Sequence, residues 1–252
     1  GDGDLSFSAC LAESLDKDML VASTLDNKET IYNKYSINAV DQLEHKGVAI
    51  KFGLDICDST SFDPTLKHDF DVIIFQFPLI PTHKDLLDYK QASRWGGNVL
   101  NRRLLWHFLH HAFSYFLSPR GRQLAMITSK DVKPYSHWNI ENLYQSSNYK
   151  FLGYQNFDID EFTGYRLRNV DRDKEVKNTA SKTYLWGANI PSEFTGVLPS
   201  PKHKQNYCCL CGKGPFNDES DRLAHQNSRG HKRLQHYEEA WRSAIKKGLL
   251  NE

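Results

Sequence analysis

The segment GDGDLSFSAC, residues 1–10, sets two glycines and two aspartates directly before an amphipathic pattern that predicts a helix starting near Leu5. In an open α/β sheet, ligands bind at the carboxyl ends of the strands, where a glycine-rich loop lets the backbone approach closely. Carboxylates here would repel a pyrophosphate, but they suit a ligand with positive charge or hydroxyl groups, such as S-adenosylmethionine (SAM). The alternative is an ordinary strand-to-helix turn. The cofactor-binding candidates of this segment are Gly1, Asp2, Gly3, Asp4 and Ser6.

A glycine loop of this kind normally follows a β-strand. We therefore expect about five apolar residues before Gly1 in the natural chain, forming a central strand from which the loop extends. Without such a strand, the sheet would lose the element on which this loop depends.

Short apolar runs alternate with helical patterns over the first two thirds of the chain. The pattern predicts strands at residues 19–24, 48–56, 71–77 and 122–129, and helices at residues 26–35, 36–45, 98–117 and 137–147. Two further strand-like runs follow, and such a late pair is typical of a methyltransferase sheet. The predicted fold class is α/β, a Rossmann-like methyltransferase sheet with helices on both faces, together with a small zinc-finger module described below.

Two acidic residues follow predicted strands. Asp26 comes after the run MLVAST, where a carboxylate could accept hydrogen bonds from ribose hydroxyls; alternatively, it could cap the next helix. Asp55 comes after the next strand, where an adenine amino group would lie; alternatively, it could form a turn. Both residues are cofactor-binding candidates.

The C-terminal part of the chain differs in charge from the rest. From Pro201 onward there are ten Lys and Arg residues against six acidic residues, so this part has a net charge of +4 in a chain whose total is +1. Such an excess indicates contact with a polyanion. We predict three segments: residues 1–187 as a SAM-dependent methyltransferase-like domain, 188–206 as a linker, and 207–252 as a zinc finger with a C-terminal helix.

A metal site is predicted in that basic part. Cys208 and Cys211 form a C-x2-C pair, thirteen residues follow, and His225 and His231 are separated by five residues. Two thiolates and two imidazoles at this spacing are typical of a tetrahedral structural zinc site. Cys209 lies between the ligand positions and is interpreted as a bystander. The five-residue separation resembles the matrin-type C2H2 finger of RNA-associated proteins.

Basic side chains surround the predicted metal-ligating helix. Arg222, Arg229, Lys232 and Arg233 are therefore RNA-binding candidates, and the alternative is a solvated charged face. DNA binding is a weaker alternative, because a single finger reads only about 3 bp.

A set of short words recurs in order along the chain: GDGDLSFS from Gly1, QFP from Gln76, NRRLL from Asn101, PYSHWNI from Pro134 and KTYLWG from Lys182. Together they resemble the eukaryotic large-subunit rRNA uridine-N3 methyltransferase family over about residues 1–187. The resemblance implies a Rossmann-like, SAM-dependent enzyme that methylates N3 of a uridine in ribosomal RNA. Where the family has Asn and His around its Phe-Pro, this chain has Gln76 and Leu79, so an amide is retained and an imidazole is absent.

The chemistry of a uridine N3 site suggests roles for several residues. The N3–H lies on the Watson–Crick edge, so the base must be unpaired, held against an aromatic surface, read at its oxygens, and relieved of its proton. Gln76 could read the base edge and Lys130 could stabilise the developing anion, while stacking surfaces could come from Phe77 with Pro78, Tyr135 and Trp138. For Tyr135 and Trp138 the alternative is a core position. Arg102 could contact RNA phosphate or be a solvated charge.

The implied partner is ribosomal RNA or a pre-ribosomal particle, with SAM and zinc as cofactors, no membrane, and a monomer outside the particle. The implied location is the nucleolus or nucleus, with the mitochondrion as the alternative. A second function fits the departures at Gln76 and Leu79: a catalytically inactive factor that binds rRNA in ribosome assembly. Five cysteines, three of them crowded at 208–211, do not suggest a secreted disulfide scaffold, and no apolar run is long enough for a membrane span.

Overall fold

A computed structural model of the chain describes residues 2–80, 86–169 and 172–251. Two sheets form its centre. Strands β1 (Val21–Ser23) and β2 (Ala49–Lys51) pair in parallel. The second sheet has four strands in the order β3-β4-β6-β5, namely β3 (Val72–Gln76), β4 (Leu124–Lys130), β5 (Lys150–Phe157) and β6 (Ser181–Gly187).

Strand direction follows the predicted alternation. β3 and β4 are parallel, whereas β6 lies antiparallel between β4 and β5. The six predicted strands are all present, although the first two are shorter than their apolar runs. The Rossmann-like α/β fold class is confirmed, and the predicted late pair of strands is present; the structure adds that β6 is antiparallel to both its neighbours.

Six α-helices are present in the described residues. They are α1 (Ser6–Leu11), α2 (Lys28–Lys34), α3 (Val40–His45), α4 (Leu86–His111), α5 (Glu219–Asn227) and α6 (Arg229–Lys246). Helix α4 is interrupted at Gly96, whose φ of 73° is a left-handed conformation. It continues into a π-helical turn at Ala112–Phe116. No helix in the described part of the chain is both long enough and apolar enough to cross a membrane.

The helix predicted at residues 137–147 is wrong. The structure has two short 3-10 turns there, Tyr135–His137 and Ile140–Asn142. Asn139 stands between them at φ 50°, ψ 47°, and a left-handed residue stops a right-handed helix. The Asn139 side chain forms hydrogen bonds with Glu238 and Lys202, which lie far along the chain. These bonds compensate for the interruption of the helix.

The main hydrophobic core lies between α4 and the four-stranded sheet. Leu105 and Leu109 of α4 and Trp186 of β6 are almost completely buried in it. The same cluster includes Trp241 of α6, which is 3% exposed. A second core packs α1, α2 and α3 against β1 and β2.

The C-terminal helix therefore shares the core of the α/β unit. The predicted linker, residues 188–206, also contacts the α/β unit, because Leu198 exchanges two backbone hydrogen bonds with Tyr154 of β5. The boundaries at 187/188 and 206/207 stay predictions as regards independent folding.

Replacing Trp241 with alanine tests this shared core. We expect Trp241→Ala to lower the free energy of unfolding by about 3–5 kcal/mol, since a large buried side chain is lost and a cavity remains. Urea unfolding followed by far-UV circular dichroism measures the effect. The control Ile245→Ala removes a side chain that is 38% exposed on the same helix. An α/β unit with an unchanged unfolding midpoint in Trp241→Ala would contradict a shared core.

Candidate functional site

A cavity of about 1240 Å³ lies between the two sheets. Its inner part is apolar, with Val21 on β1, Val72 on β3 and Phe108 on α4 among the lining residues. Its mouth is polar and reaches the carboxyl ends of β1, β3 and β4. In a parallel α/β sheet this edge is where ligands bind, so the polar mouth is the candidate site.

The glycine loop forms one wall of this mouth. The Asp2 amide donates a hydrogen bond to the Ser23 carbonyl at the end of β1 (3.0 Å), and one Asp2 carboxylate oxygen accepts from the Ser8 amide of α1 (2.6 Å). Burial raises the pKa of Asp2 to about 6. At Gly3 a β-carbon would lie 2.9 Å from the Tyr35 hydroxyl, so no larger side chain fits without a shift. Gly1 lies outside the described residues.

Asp4 is buried and uses both carboxylate oxygens. One accepts from the amide and hydroxyl of Ser6 (3.0 and 2.6 Å), and the other accepts from Nε of Arg168 (2.9 Å). Ser6 also accepts from the Arg166 amide (3.1 Å) and supports the loop; it does not line the cavity, and its role as a cofactor ligand stays a prediction. Asp4 lines the cavity, but its charge is already neutralised by Arg168.

Asp26 and Asp55 both line the cavity. Asp26 pairs with Lys34 at 2.9 Å. The capping alternative for Asp26 is wrong, because the next residue, Asn27, caps α2 by accepting from the Thr30 amide (2.8 Å). For Asp55 the turn interpretation is confirmed, since its carboxylate accepts from the Cys57 amide (2.8 Å); its exposure to the cavity leaves the binding role as a prediction.

Gln76 ends β3 at the other side of the mouth. It is 7% exposed and lines the cavity, and neither atom of its carboxamide makes a hydrogen bond of normal geometry in the described part of the chain, although the Tyr165 hydroxyl lies close enough to interact with it. A buried amide without partners is costly, and its usual explanation is a ligand or water. The neighbouring Phe77 has φ 45° and its ring faces Phe157 and Tyr165, with ring centroids 5.4 and 6.5 Å away.

Lys130 ends β4 beside the same mouth. Its Nζ donates to the Lys177 carbonyl (3.2 Å) and lies 5.8 Å from the Tyr135 ring centroid. Burial lowers the pKa of Lys130. Tyr135 and the buried Pro78 line the cavity, and their role as a substrate wall stays a prediction.

Two predicted site residues lie elsewhere. Trp138 is 2% exposed within the main core, so the core alternative is correct and Trp138 offers no stacking face to a substrate. Arg102 is completely buried and pairs with Glu238 of α6 (3.0 Å), with its guanidinium 4.8 Å from the Trp241 ring centroid. Both interpretations of Arg102, phosphate contact and solvated charge, are therefore wrong.

The sequence analysis did not identify two residues that line the mouth and lie more than 100 residues after the glycine loop. Tyr165 and Arg168 line the cavity, and burial beside Asp2 and Asp4 raises the pKa of Tyr165. The available signal was the word TGYRLR, residues 163–168, in which two arginines follow an aromatic residue.

The predicted metal ligands come together. One ligand atom from each of Cys208, Cys211, His225 and His231 lies within 4.8 Å of the others. Nδ1 of His231 is 3.6 and 3.3 Å from the two sulfurs and 3.1 Å from Nε2 of His225. A tetrahedral zinc ion with normal bond lengths sets its ligand atoms about 3.3–3.8 Å apart, so these residues fit such an ion.

Local structure explains this convergence. The Cys208 amide donates to the Lys213 carbonyl and the Gly212 amide donates to the Cys208 carbonyl, which folds a tight turn around the two thiols. Ser228 ends α5 and caps α6 by accepting from the His231 amide (3.2 Å), so the two histidines lie on consecutive helices. Without an ion, burial and the nearby Cys208 thiol raise the pKa of Cys211.

Basic residues of α6 lie near the loop that contains Tyr135. Arg229, Lys232 and Arg233 are exposed, whereas Arg222 is partly engaged with the Phe216 ring (5.3 Å) and with Glu219 (3.4 Å). Burial is the main cause that lowers the pKa of His137, and the charges of Lys133 and Arg233 lower it further. The ring centroids of His137 and Tyr237 are 5.6 Å apart.

Three comparisons place the chain among known proteins. It is 29% identical over 176 residues to Uncharacterized protein At4g26485 of Arabidopsis thaliana, covering 66% of this chain and 77% of that protein. It is 27% identical to Heavy metal-associated isoprenylated plant protein 41 of Arabidopsis thaliana, covering 68% of this chain, and 21% identical to Ferredoxin-fold anticodon-binding domain-containing protein 1 homolog of Mus musculus, covering 77%. The chain spans 32% and 31% of those two relatives. No solved structure matches it.

The family comparison covers most of the chain. Residues 1–169 match the family model BMT5-like, described as rRNA (uridine-N3-)-methyltransferase BTM5-like. The matched region contains the glycine loop, Gln76 and the wall formed by Lys130 and Tyr135. It ends before the Cys/His cluster. The chain therefore belongs to the BMT5-like family of rRNA (uridine-N3-)-methyltransferases.

Proposed function

We propose that this protein transfers a methyl group from SAM to N3 of a uridine in ribosomal RNA, and that its Cys/His cluster is a zinc finger that docks on the RNA. Family membership supports the reaction class. The observation on which the substrate assignment rests is Gln76, a buried carboxamide at the polar mouth of the cavity that makes no hydrogen bond of normal geometry in the described part of the chain.

The cofactor end of the site would be formed by the glycine loop and two acidic residues. Gly3 lets the loop pass close to the Tyr35 hydroxyl, while Asp2, Asp26 and Asp55 offer carboxylates to a cationic and hydroxyl-rich molecule. SAM supplies an electrophilic methyl group. Asp4 acts indirectly, because its bonds to Ser6 and Arg168 hold the loop against residues 166–168.

The substrate end would read and hold the base. The amide nitrogen of Gln76 can donate to O2 or O4 of the uracil edge, which leaves N3 open to the methyl group. Tyr135 offers a ring at the same wall. The N3–C bond would form as the methyl–sulfur bond of SAM breaks and the N3 proton leaves to water, and a buried ammonium such as Lys130 favours the anionic form of the base.

The second candidate is a non-catalytic factor that binds rRNA in ribosome assembly. Leu79 motivates it, because this side chain packs against the main core where the family has an imidazole. Family membership implies a nuclear or nucleolar location. The mitochondrial alternative and the monomeric state stay predictions.

Gln76 provides the test of the enzyme. We expect Gln76→Ala to lower kcat/KM for rRNA methylation about 10- to 100-fold, since a lost hydrogen bond to a desolvated base costs about 1.5–3 kcal/mol. SAM binding, measured by calorimetry, stays within twofold. The control is Gln155→Ala on β5, whose amide donates to the Thr195 carbonyl outside the cavity. Methylation is read by mass spectrometry of nucleosides.

Two results would count against this function. No SAM binding by the wild-type protein would contradict the enzyme. SAM binding with an unchanged 3-methyluridine content in the rRNA of cells lacking the protein would favour the assembly factor.

Two cysteine variants, one in the cluster and one beside it, test the zinc assignment. We expect one zinc ion per chain after dialysis, measured by mass spectrometry of the metal, and its loss in Cys211→Ala, because three remaining ligands hold a structural ion poorly. Cys209→Ala should keep the ion, since the Cys209 sulfur is outside the cluster. Retention of zinc by Cys211→Ala would contradict the assigned ligand set.

RNA docking is tested through salt dependence. We expect the double variant Lys232→Ala/Arg233→Ala to weaken binding to an rRNA fragment and to reduce the slope of log affinity against log salt by about 1–2, roughly one for each lost phosphate contact. Fluorescence anisotropy at several salt concentrations measures this slope. The matched control is Lys28→Ala, which removes an exposed lysine paired with Glu44. An unaltered slope would assign these residues to a solvated face.

A further inference from the structure

The buried guanidinium of Arg102 joins α4 to the helix that contains a metal ligand. Its Nη1 donates to Oε2 of Glu238 at 3.0 Å, and its carbon lies 4.8 Å from the Trp241 ring centroid. Arg102 has no exposed surface, so its charge depends on this carboxylate. Glu238 lies about two helical turns beyond His231 on α6.

Glu238 also holds the loop at residues 131–142. Nδ2 of Asn139 donates to the same Oε2 at 3.2 Å. Asn139 has a left-handed backbone between two 3-10 turns, a conformation that Asn adopts more readily than most non-glycine residues and that its side-chain bonds to Glu238 and Lys202 help to hold. The position of this loop therefore depends on α6.

A second connection reaches Asn139 from the cysteine side of the cluster. Nζ of Lys202 donates to Oδ1 of Asn139 at 2.9 Å and lies 3.7 Å from a Glu141 carboxylate oxygen. Lys202 also lies close to Cys211, which acts on its pKa, and a β-carbon on Gly212 would be 3.4 Å from its Cγ. A polar cleft of about 150 Å³ lies at this junction, with Tyr135 among its lining residues.

Both connections end on Asn139, and Tyr135 of the same loop lines the large cavity. We infer that Asn139 and Glu238 are positioning residues through which the metal-bound Cys/His cluster holds the loop at residues 131–142 against the candidate site. A small Cys/His unit orders on metal binding. Loss of the ion therefore disorders the turn beside Lys202 and the first turns of α6, so that the bonds from Asn139 to Lys202 and Glu238 weaken, whereas the bond that it accepts from Asn142 within the loop (3.1 Å) remains.

Hydrogen–deuterium exchange on the full chain tests this coupling. Metal is removed with a chelator and restored with zinc chloride. We expect removal to raise exchange rates at least threefold in peptides from residues 131–142 as well as 207–231, while peptides from residues 28–45 stay unchanged. An increase confined to residues 207–231 would overturn the inference, as would a uniform increase along the whole chain.

A variant separates positioning from general stability. In Glu238→Met, exchange in residues 131–142 should be fast and no longer respond to zinc, although zinc affinity stays within twofold. The control Glu239→Met changes the adjacent residue, whose carboxylate binds only Gln235 among the described contacts, and should keep the zinc response. A Glu238→Met protein whose loop still responds to zinc would contradict the assignment.

Glu238→Met leaves Arg102 without its partner, so a second variant covers the case in which it does not fold. Lys202→Met removes the ammonium that binds Asn139 and should reduce the zinc response of residues 131–142 at least twofold; a full response would overturn the second connection. The inference rests on the metal site but not on methyl transfer. Exchange is read without RNA or SAM, so failure of the proposed reaction would leave the result unchanged.

Discussion

The buried charge of Arg102 requires a carboxylate, and this requirement fixes the position of the C-terminal helix. A guanidinium with no exposed surface is tolerated only with a paired and hydrogen-bonded anion. Glu238 supplies that anion through Nη1 of Arg102, whereas Nε and Nη2 have no hydrogen-bond partner in the described part of the chain. The pair places α6 across α4, with Trp241 in the main core. The Cys/His cluster is thereby held in a defined position beside the sheet, although it lies outside the region that matches the family.

A similar constraint acts at the cofactor end. Asp4 is 2% exposed, and its pair with Arg168 binds the first loop of the chain to a segment far away in sequence. Arg168 also reaches Asp173 at 3.0 Å. The polar mouth is therefore closed by long-range pairs, whereas its individual acidic residues come from short loops after strands.

The sequence predicted the parts of the structure that depend on local pattern. Apolar runs located all six strands, and ligand spacing located the Cys/His cluster, because a strand or a metal turn is specified by residues near in the chain. Burial of a charged residue cannot be read in this way. Arg102 on a helix looks like a surface arginine until its partner is known, and Trp138 looks like a binding residue until the core is built.

Two more features could not be predicted for a similar reason: the unusual backbone of one residue, and the choice between two adjacent helix-capping residues. The helical pattern at residues 137–147 gives no sign that Asn139 adopts a left-handed conformation, because the cause is a set of contacts from α6 and Lys202. At the start of α2, both Asp26 and Asn27 are good caps, and only geometry selects Asn27.

The departure at Leu79 changes what the rest of the proposed site has to supply. The N3–H of uridine is a weakly acidic imide. Its proton can leave to water when the site stabilises the resulting uracil anion. A charge in a partly desolvated wall acts more strongly than the same charge in water. Lys130 is 8% exposed, and burial lowers its pKa, so it lies in such a partly desolvated wall. In the proposed reaction, the side chain at residue 79 is therefore replaceable, whereas the buried amide at Gln76 and the charge at Lys130 are not.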